Sequence, residues 1–590
     1  MMYFCYNQQM KNQILKFGTL FLIIYISFIA LGYLLARGNF VNPLAAKFFV
    51  KDMIILSLFC LAAAEFWLER TKFLLFFGII FLMILLPYTL KFFQGSSGIV
   101  SREVSANFAV FSFFAFILIV ILNFIRFKFL RFLILLLILL SDIIFLSYFF
   151  ITGAVLSDVA IISMLDTNFN EATDYIKINL NFKVILEISV FVLLLAFLTL
   201  KFRNFTLNKN KIVFKISLIL VTIFYFVSQM NLNEMNFYKI LYKMTLSHIQ
   251  SVNSYKNNYE SRINGISVDK NSTRSGLFVL VIGESQNKNH MSVYGYEKLT
   301  TPHLNELAKT KNALFFQNAF SNHTLTAQVI SQFITSKNQY NNISLKDAVS
   351  IIELANLGGF ETIYLSNQAK YGTFGSPLSA LFFDAKQKIW SIKIGIIARI
   401  DNFYRPEAPY DEILLPKIDE LKFGEKTLLI IHLMANHWIY EKRYPKNFEK
   451  FALKYDNAVL YNDFIVDKIL KKLQKFPNFK ALIYCSDHGE DMKFMHDPSK
   501  FSVSMIEIPF FIYFSDNFIM QNGDIFANLK ANENSFFTND LIFDMMSGIL
   551  GLKSKIYEPR NDISNALYDD NKSRFKTMNA TKNLIEILKF

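Results

Sequence analysis

Two patterns of hydrophobic positions divide this chain. Through about residue 230 the apolar residues come in near-continuous runs: Phe17–Ala36, Met53–Leu68, Phe73–Leu90, Asn107–Ile125, Phe132–Phe150, Val184–Leu200 and Ile212–Val227. A helix needs about 20 mostly apolar residues to cross a hydrocarbon core, so these runs predict a helical transmembrane bundle over 1–230 with about seven spans. Only Glu69–Lys72 joins the second and third, so a re-entrant pair within 51–93 and five crossings is the alternative, with the same parity. Between the fifth and sixth runs, ISMLDTNFNEATDYI is a helical pattern with one apolar face, suited to the membrane surface. From 231 to 275 polar residues dominate, which predicts a bridging region with an amphipathic helix near Phe237–Ile249 and then a linker. From 276 to 590 the pattern changes again. Short apolar runs at Leu277–Ile282, Thr362–Leu365, Thr427–Leu433, Ala481–Cys485 and Pro509–Phe514 alternate with helical stretches, which predicts a soluble α/β domain on a mostly parallel sheet.

Charge placement orients the bundle. The second, fourth and sixth connections are short and basic (Arg70 and Lys72; Arg126, Lys128 and Arg131; Lys201, Arg203, Lys209 and Lys211), and Lys11 and Lys16 precede the first run. The N-terminus is therefore expected in the cytoplasm, and an odd number of crossings puts the soluble half in the periplasm of a bacterial inner membrane. The first run has no small-residue cleavage site and is expected to stay as an anchor. Glu65, Asp142 and Glu187 lie in or beside these runs, where snorkelling or pairing near a helix end accommodates them. Across 590 residues the composition is 53% hydrophobic with 65 Phe, and the formal net charge is +14. With no nucleic-acid module in view, that charge suits an anionic membrane surface and not nucleic acid. Of the three cysteines, only Cys485 falls in the soluble half, so an internal disulfide there is excluded.

The candidate chemistry sits where the strands end. Glu284 follows the first strand, Ser366-Asn367-Gln368 the second, Asn436-His437 the third and Asp487-His488 the fourth. Open α/β sheets bind ligands at the carboxyl ends of their strands, so these polar residues converge on one edge as a candidate site. Carboxylates and an imidazole from Glu284, Asp487 and His488 suit zinc, with a fourth position for a nucleophile. Ser321–Ala327 is the best hydroxyl-rich loop ahead of a helix, where free backbone N–H groups favour a phosphoryl oxygen. Spacing does not rank Thr324 against Thr326.

The order GES, YGY and TTP (Gly283–Pro302), Thr326-Ala327, IHLMANH (Ile431–His437), KYDNAVLYNDFIVDKIL (Lys454–Leu470) and YCSDHGE (Tyr484–Glu490) resembles the bacterial phosphoethanolamine transferases. These are inner-membrane members of the alkaline phosphatase and sulfatase superfamily. MLDTNFNEA (Met164–Ala172) extends the resemblance into the membrane half. The resemblance implies a sulfatase-like soluble fold and a zinc held by Glu284, Thr326, Asp487 and His488. It selects Thr326, the threonine directly before Ala327, as the nucleophile that takes phosphoethanolamine from phosphatidylethanolamine. It gives His437 a contact to the phosphoryl group or a second zinc, and puts Asn367, Gln368, Lys370 and His496 at the donor headgroup, although the spacing from DHG to His496 is shorter than in the family. The acceptor would be an envelope component such as lipid A or the lipopolysaccharide core, and the expected state is a monomer. The chain departs from the family in lacking cysteines around the nucleophile loop and in carrying two extra apolar segments before the matching part. A glycerol-phosphate transferase, or another zinc-dependent phosphodiesterase or sulfatase-like hydrolase of the superfamily, is the alternative. The sulfatase version is disfavoured because Thr326–Ile330 has no C/S-x-P-x-R run.

Overall fold

The structure, a computed structural model, describes residues 254–588 except 256, 369–379, 392–409 and 498–499, with isolated positions between 127 and 246. The expected membrane spans, the bridging helix at 237–249 and the 164–172 segment lie outside the described residues, apart from such isolated positions; those between Leu133 and Tyr148 and between Val184 and Leu193 are helical. Among the described residues no helix is long and apolar enough to cross a membrane. The chain divides into two compact units, Met1–Ile161 with Tyr175–Met244, and Ile162–Asp174 with Thr245–Phe590. The strands, and the polar residues that end them, all belong to the second unit.

The centre of that unit is strand β1 (Gly276–Gly283), buried at every position. The other described strands are β2 (Ala313–Phe316), β3 (Asn318–Phe320), β4 (Glu361–Ser366), β5 (Gln387–Trp390), β6 (Lys426–His432), β7 (Phe479–Ser486), β8 (Phe510–Phe514), β9 (Phe536–Thr538) and the two-residue pair β10 (Lys576–Thr577) and β11 (Lys582–Asn583). Seven of them form one sheet in the order β2-β8-β7-β1-β6-β4-β5, while β3 and β9 pair separately. Strands β7, β1, β6, β4 and β5 run parallel, and β8 is antiparallel to both β7 and β2. A parallel sheet covered on both faces needs apolar side chains on both sides of every inner strand, which is why β1 and β6 read as unbroken runs.

Alternation sorts those side chains into two cores. Phe278, Leu280 and Ile282 pack on one face with Val329, Ile330 and Phe333 of helix α1 (Thr326–Phe333) and with Ile351, Ile352 and Leu354 of helix α2 (Ile351–Leu357). Leu277, Val279 and Val281 pack on the other face against helix α3 (Lys454–Leu473), which presents Ala458, Val459, Ile465, Val466 and Ile469 at helical spacing. The polar stretch after residue 254 is also docked on this unit. Arg262 is buried against Glu353, the residue that closes the capping box of α2 with Ser350.

Candidate active site

Strand register builds the site. Ile282 lies beside His432 on one side and Cys485 on the other, so the residues that leave β1, β6 and β7 emerge together. Glu284, Asp487 and His488 are all buried, and their ligand atoms lie within 4.8 Å of one another. Nε2 of His488 is 3.4 Å from Glu284 Oε1 and 3.4 Å from Asp487 Oδ2. The ring is oriented from behind, where its Nδ1–H donates to the Gly489 carbonyl at 2.8 Å, which leaves Nε2 facing the carboxylates. Gly489 is needed for closeness and not for a left-handed backbone, since a Cβ there would sit 2.3 Å from the Ser504 carbonyl oxygen.

Thr326 is the first residue of α1, and its hydroxyl donates to Glu284 Oε1 at 3.1 Å and lies 3.3 Å from His488 Nε2. Helix geometry thus separates the two threonines that spacing left unranked. Thr324 is fully buried, and its hydroxyl has no hydrogen-bond partner among the described residues.

The electrostatics are those of a cation site. Burial pushes the Asp487 carboxyl up to about 7, and the Glu284 charge adds to it. Burial works against charge on His488, but Asp487 and Glu284 outweigh it and raise the ring to about 10. Burial likewise acts to raise Glu284, but its bond to His488 and that ring's charge hold it below the usual carboxylate range, with smaller help from His437 and His432. Asp487 Oδ1 accepts from the backbone N–H groups of Ser285 and His488, at 3.0 and 2.6 Å, while Oδ2 is buried with no hydrogen-bond partner among the described residues. Two close carboxylates, one with an orphaned oxygen aimed toward an imidazole nitrogen, fit a divalent metal of mixed N and O preference. Zinc is such a metal.

The remaining candidates fall at different distances from this centre. Gln368 donates to Glu284 Oε2 at 3.2 Å and to the Leu433 carbonyl at 2.8 Å, so it braces the carboxylate. Asn367 is fully buried, and its amide donates at 2.9 Å to Asp411, which in turn accepts from the backbone of Met434 and Ala435. That makes it a post beneath the turn leading to His437. Lys370 lies outside the described residues. His496 meets Glu490 Oε2 at 2.9 Å and its ring centroid is 4.8 Å from that of His488, so it reaches the edge of the cluster. Sequence reasoning passed over Glu490, whose Oε1 accepts from Tyr440 and which joins His488 and His496 in a second group of closely spaced ligand atoms. The acidic residue that closes SDHGE was the available clue.

With this geometry in view, comparison with known proteins is specific. Residues 277–552 match the family model described as Sulfatase. Over those residues, which carry the candidate site, this chain is similar to that family. Phosphoethanolamine transferase EptC of Escherichia coli (strain K12) is 28% identical over 243 residues, covering 38% of this chain and 41% of that protein. Phosphoethanolamine transferase EptA of Helicobacter pylori (strain ATCC 700392 / 26695) is 29% identical over 317 residues, covering 48% and 56%. The chain thus spans about half the length of the curated relatives it matches. Among solved structures, the integral membrane protein lipooligosaccharide phosphoethanolamine transferase A (EptA) from Neisseria meningitidis superposes with a TM-score of 0.58 at 19% identity, covering 83% of this chain and 97% of that one. That likeness is one of fold. Within the matched residues, this chain carries a threonine at the head of α1, against Glu284 and His488 of the three-residue cluster.

Proposed function

We propose that this protein transfers phosphoethanolamine from phosphatidylethanolamine to an envelope acceptor such as lipid A or the lipopolysaccharide core, by way of a covalent Thr326 intermediate. The observation that carries the proposal is the Thr326 hydroxyl, 3.1 Å from Glu284 and 3.3 Å from His488 Nε2 at the start of a helix. Glu284, Asp487, His488 and the Thr326 oxygen would hold a zinc ion, whose charge would make the hydroxyl a competent nucleophile and offset charge growing on phosphorus.

In the first step the Thr326 Oγ–phosphorus bond forms and the phosphorus–oxygen bond to diacylglycerol breaks. The threonine proton passes through its hydrogen bond to Glu284 and ends on the departing diacylglycerol hydroxyl. In the second, a bond forms from an acceptor oxygen to phosphorus as the Thr326 Oγ–phosphorus bond breaks, and the acceptor's proton passes to Thr326 Oγ, which restores the hydroxyl. Backbone N–H groups at the start of α1 and His437 would face the phosphoryl oxygens, where charge develops most strongly. Gln368 would keep Glu284 oriented through both steps. The apolar runs of 1–230 suit a multi-pass inner-membrane anchor that keeps this periplasmic domain beside a lipid donor.

Purified full-length protein given headgroup-labelled phosphatidylethanolamine is expected to release diacylglycerol and retain label, and Thr326→Ala is expected to do neither. Wild-type protein that binds zinc but stays silent with this donor would redirect the reading to glycerol-phosphate lipids.

A further inference from the structure

Behind Glu284 lies a second set of buried polar groups that the proposed chemistry does not use. Ser285, directly after Glu284, is held at φ +54°, and Ala435, just before the Asn436-His437 pair, at φ +34°. Both are non-glycine residues in the left-handed region, which persists only where surrounding contacts over-determine it. The two turns are tied to each other: the backbone N–H of Asn436 donates to the Glu284 carbonyl at 3.1 Å, and Asn436 Nδ2 donates to Gln286 Oε1 at 2.6 Å. Helix α3 holds both from below. Asn462 Nδ2 donates to the same Gln286 oxygen at 3.1 Å and to the Tyr484 hydroxyl at 2.9 Å. Two turns earlier on the same face, the Tyr455 hydroxyl donates to the Ser285 carbonyl at 2.6 Å and accepts from the Asn287 N–H at 2.8 Å.

Gln286, Asn436 and Asn462 are buried, yet Gln286 Nε2, Asn436 Oδ1 and Asn462 Oδ1 have no hydrogen-bond partner among the described residues. Unpaired buried polar atoms cost stability, and an apolar trio would fill a fold core better. Three of them gathered around one amide, beside the carboxylate that faces His488, call for a reason other than packing.

We propose that Gln286, Asn436 and Asn462 are a positioning cluster that fixes the strained turns on either side of the site, and thereby holds the Glu284 carboxylate where zinc needs it. The inference rests on Glu284 being a zinc ligand. Residues that orient a metal ligand from one remove typically change affinity by about 10- to 100-fold when lost.

The test uses full-length protein stripped of metal and titrated with zinc against a chromophoric chelator. Asn462→Leu, which keeps volume and removes the amide, is expected to weaken zinc binding by about 10- to 100-fold. Val459→Ala, equally buried one turn away in the apolar core of the same helix, is the control for a general loss of stability and is expected to bind as wild type does. Asn462→Thr reads the same quantity if the leucine variant does not fold. Wild-type affinity in the Asn462 variant, or an equal loss in Val459→Ala, overturns the positioning role. Retained zinc affinity in Glu284→Ala instead overturns the ligand assignment beneath it.

Discussion

Replacing Arg262 with alanine should loosen the segment that precedes β1 far more than loss of one surface charge would. Both side chains of the Arg262–Glu353 pair are fully shielded from solvent. The guanidinium donates to Glu353 Oε1 at 3.0 and 2.5 Å and to the carbonyls of Tyr255 and Lys346 at 2.5 and 3.2 Å, and it lies 3.8 Å from the Tyr255 ring centroid. Without it Glu353 keeps the Ser350 N–H at 2.7 Å and the Tyr255 hydroxyl at 3.3 Å but has no compensating charge. Breaking a buried pair from one side costs about 3–5 kcal/mol, whereas replacing both members with apolar groups is often close to neutral. A chain with two units is not a two-state system, so a global melting curve is the wrong measurement. Hydrogen exchange of peptides spanning Tyr259–Ile263 and Ile351–Leu357 reads the local opening directly. At 1.4 kcal/mol per tenfold, protection in Arg262→Ala should fall by roughly two to nearly four orders of magnitude, and Arg262→Met with Glu353→Met should recover much of it. A single variant within tenfold of wild type, or a double variant worse than the two singles combined, would show that the pair is not what docks this segment.

Two further outcomes are expected from other buried groups. Asp463 caps a short helix by accepting from the backbone N–H groups of His303 and Leu304, at 3.0 and 2.9 Å, and burial raises its carboxyl to about 7. The folded state thus holds a proton that the unfolded chain, titrating near 4, has lost, so this residue's contribution to stability is present below about pH 4 and is lost as pH rises toward 7. Asp463→Asn should flatten that slope in the hydrogen-exchange protection of peptides from Lys454–Leu473, corrected for intrinsic exchange across the same pH window, and an unchanged slope would refute the assignment. Stripping divalent metal should abolish transfer and lower the hydrogen-exchange protection of peptides carrying Glu284 and His488, and returning zinc at a thousandfold excess over its Kd should restore about 4 kcal/mol of that protection; protection indifferent to zinc would rule the cluster out as a tight metal site.

The range of each interaction decides whether the amino acids reveal it. A parallel strand buried on both faces writes itself as a short apolar run, so β1, β4, β6 and β7 were legible, and so was the polar residue that stops each one. Strand β8 was equally visible as a run, but direction leaves no local trace. Only the pairing of Cys485 with Phe510 and of Ala481 with Phe514 makes it antiparallel, and so carries its end away from the site. Strands β3 and β9 are three residues each, too short to show any period. The preference for Thr326 over Thr324 depends on where α1 begins, a boundary one or two residues wide that spacing does not fix.

The contacts that aim the site were the least legible, because each joins residues far apart in the chain. Gln286 meets Asn462 across 176 positions, and Ser285 meets Tyr455 across 170. In the sequence, Tyr455 and Asn462 are simply polar residues on an amphipathic helix, and nothing near them announces a role. Yet the ligand-bearing turns they hold include a non-glycine residue at positive φ, which an isolated loop would not keep. The donor atoms were therefore readable as chemistry at strand ends, while their geometry depends on a helix on the opposite face of the sheet from Thr326. If that division is right, substitutions at Tyr455 and Asn462 will move metal affinity, whereas those at Val459 and Val466, which share the same face of α3 but pack only in the apolar core, will move only stability.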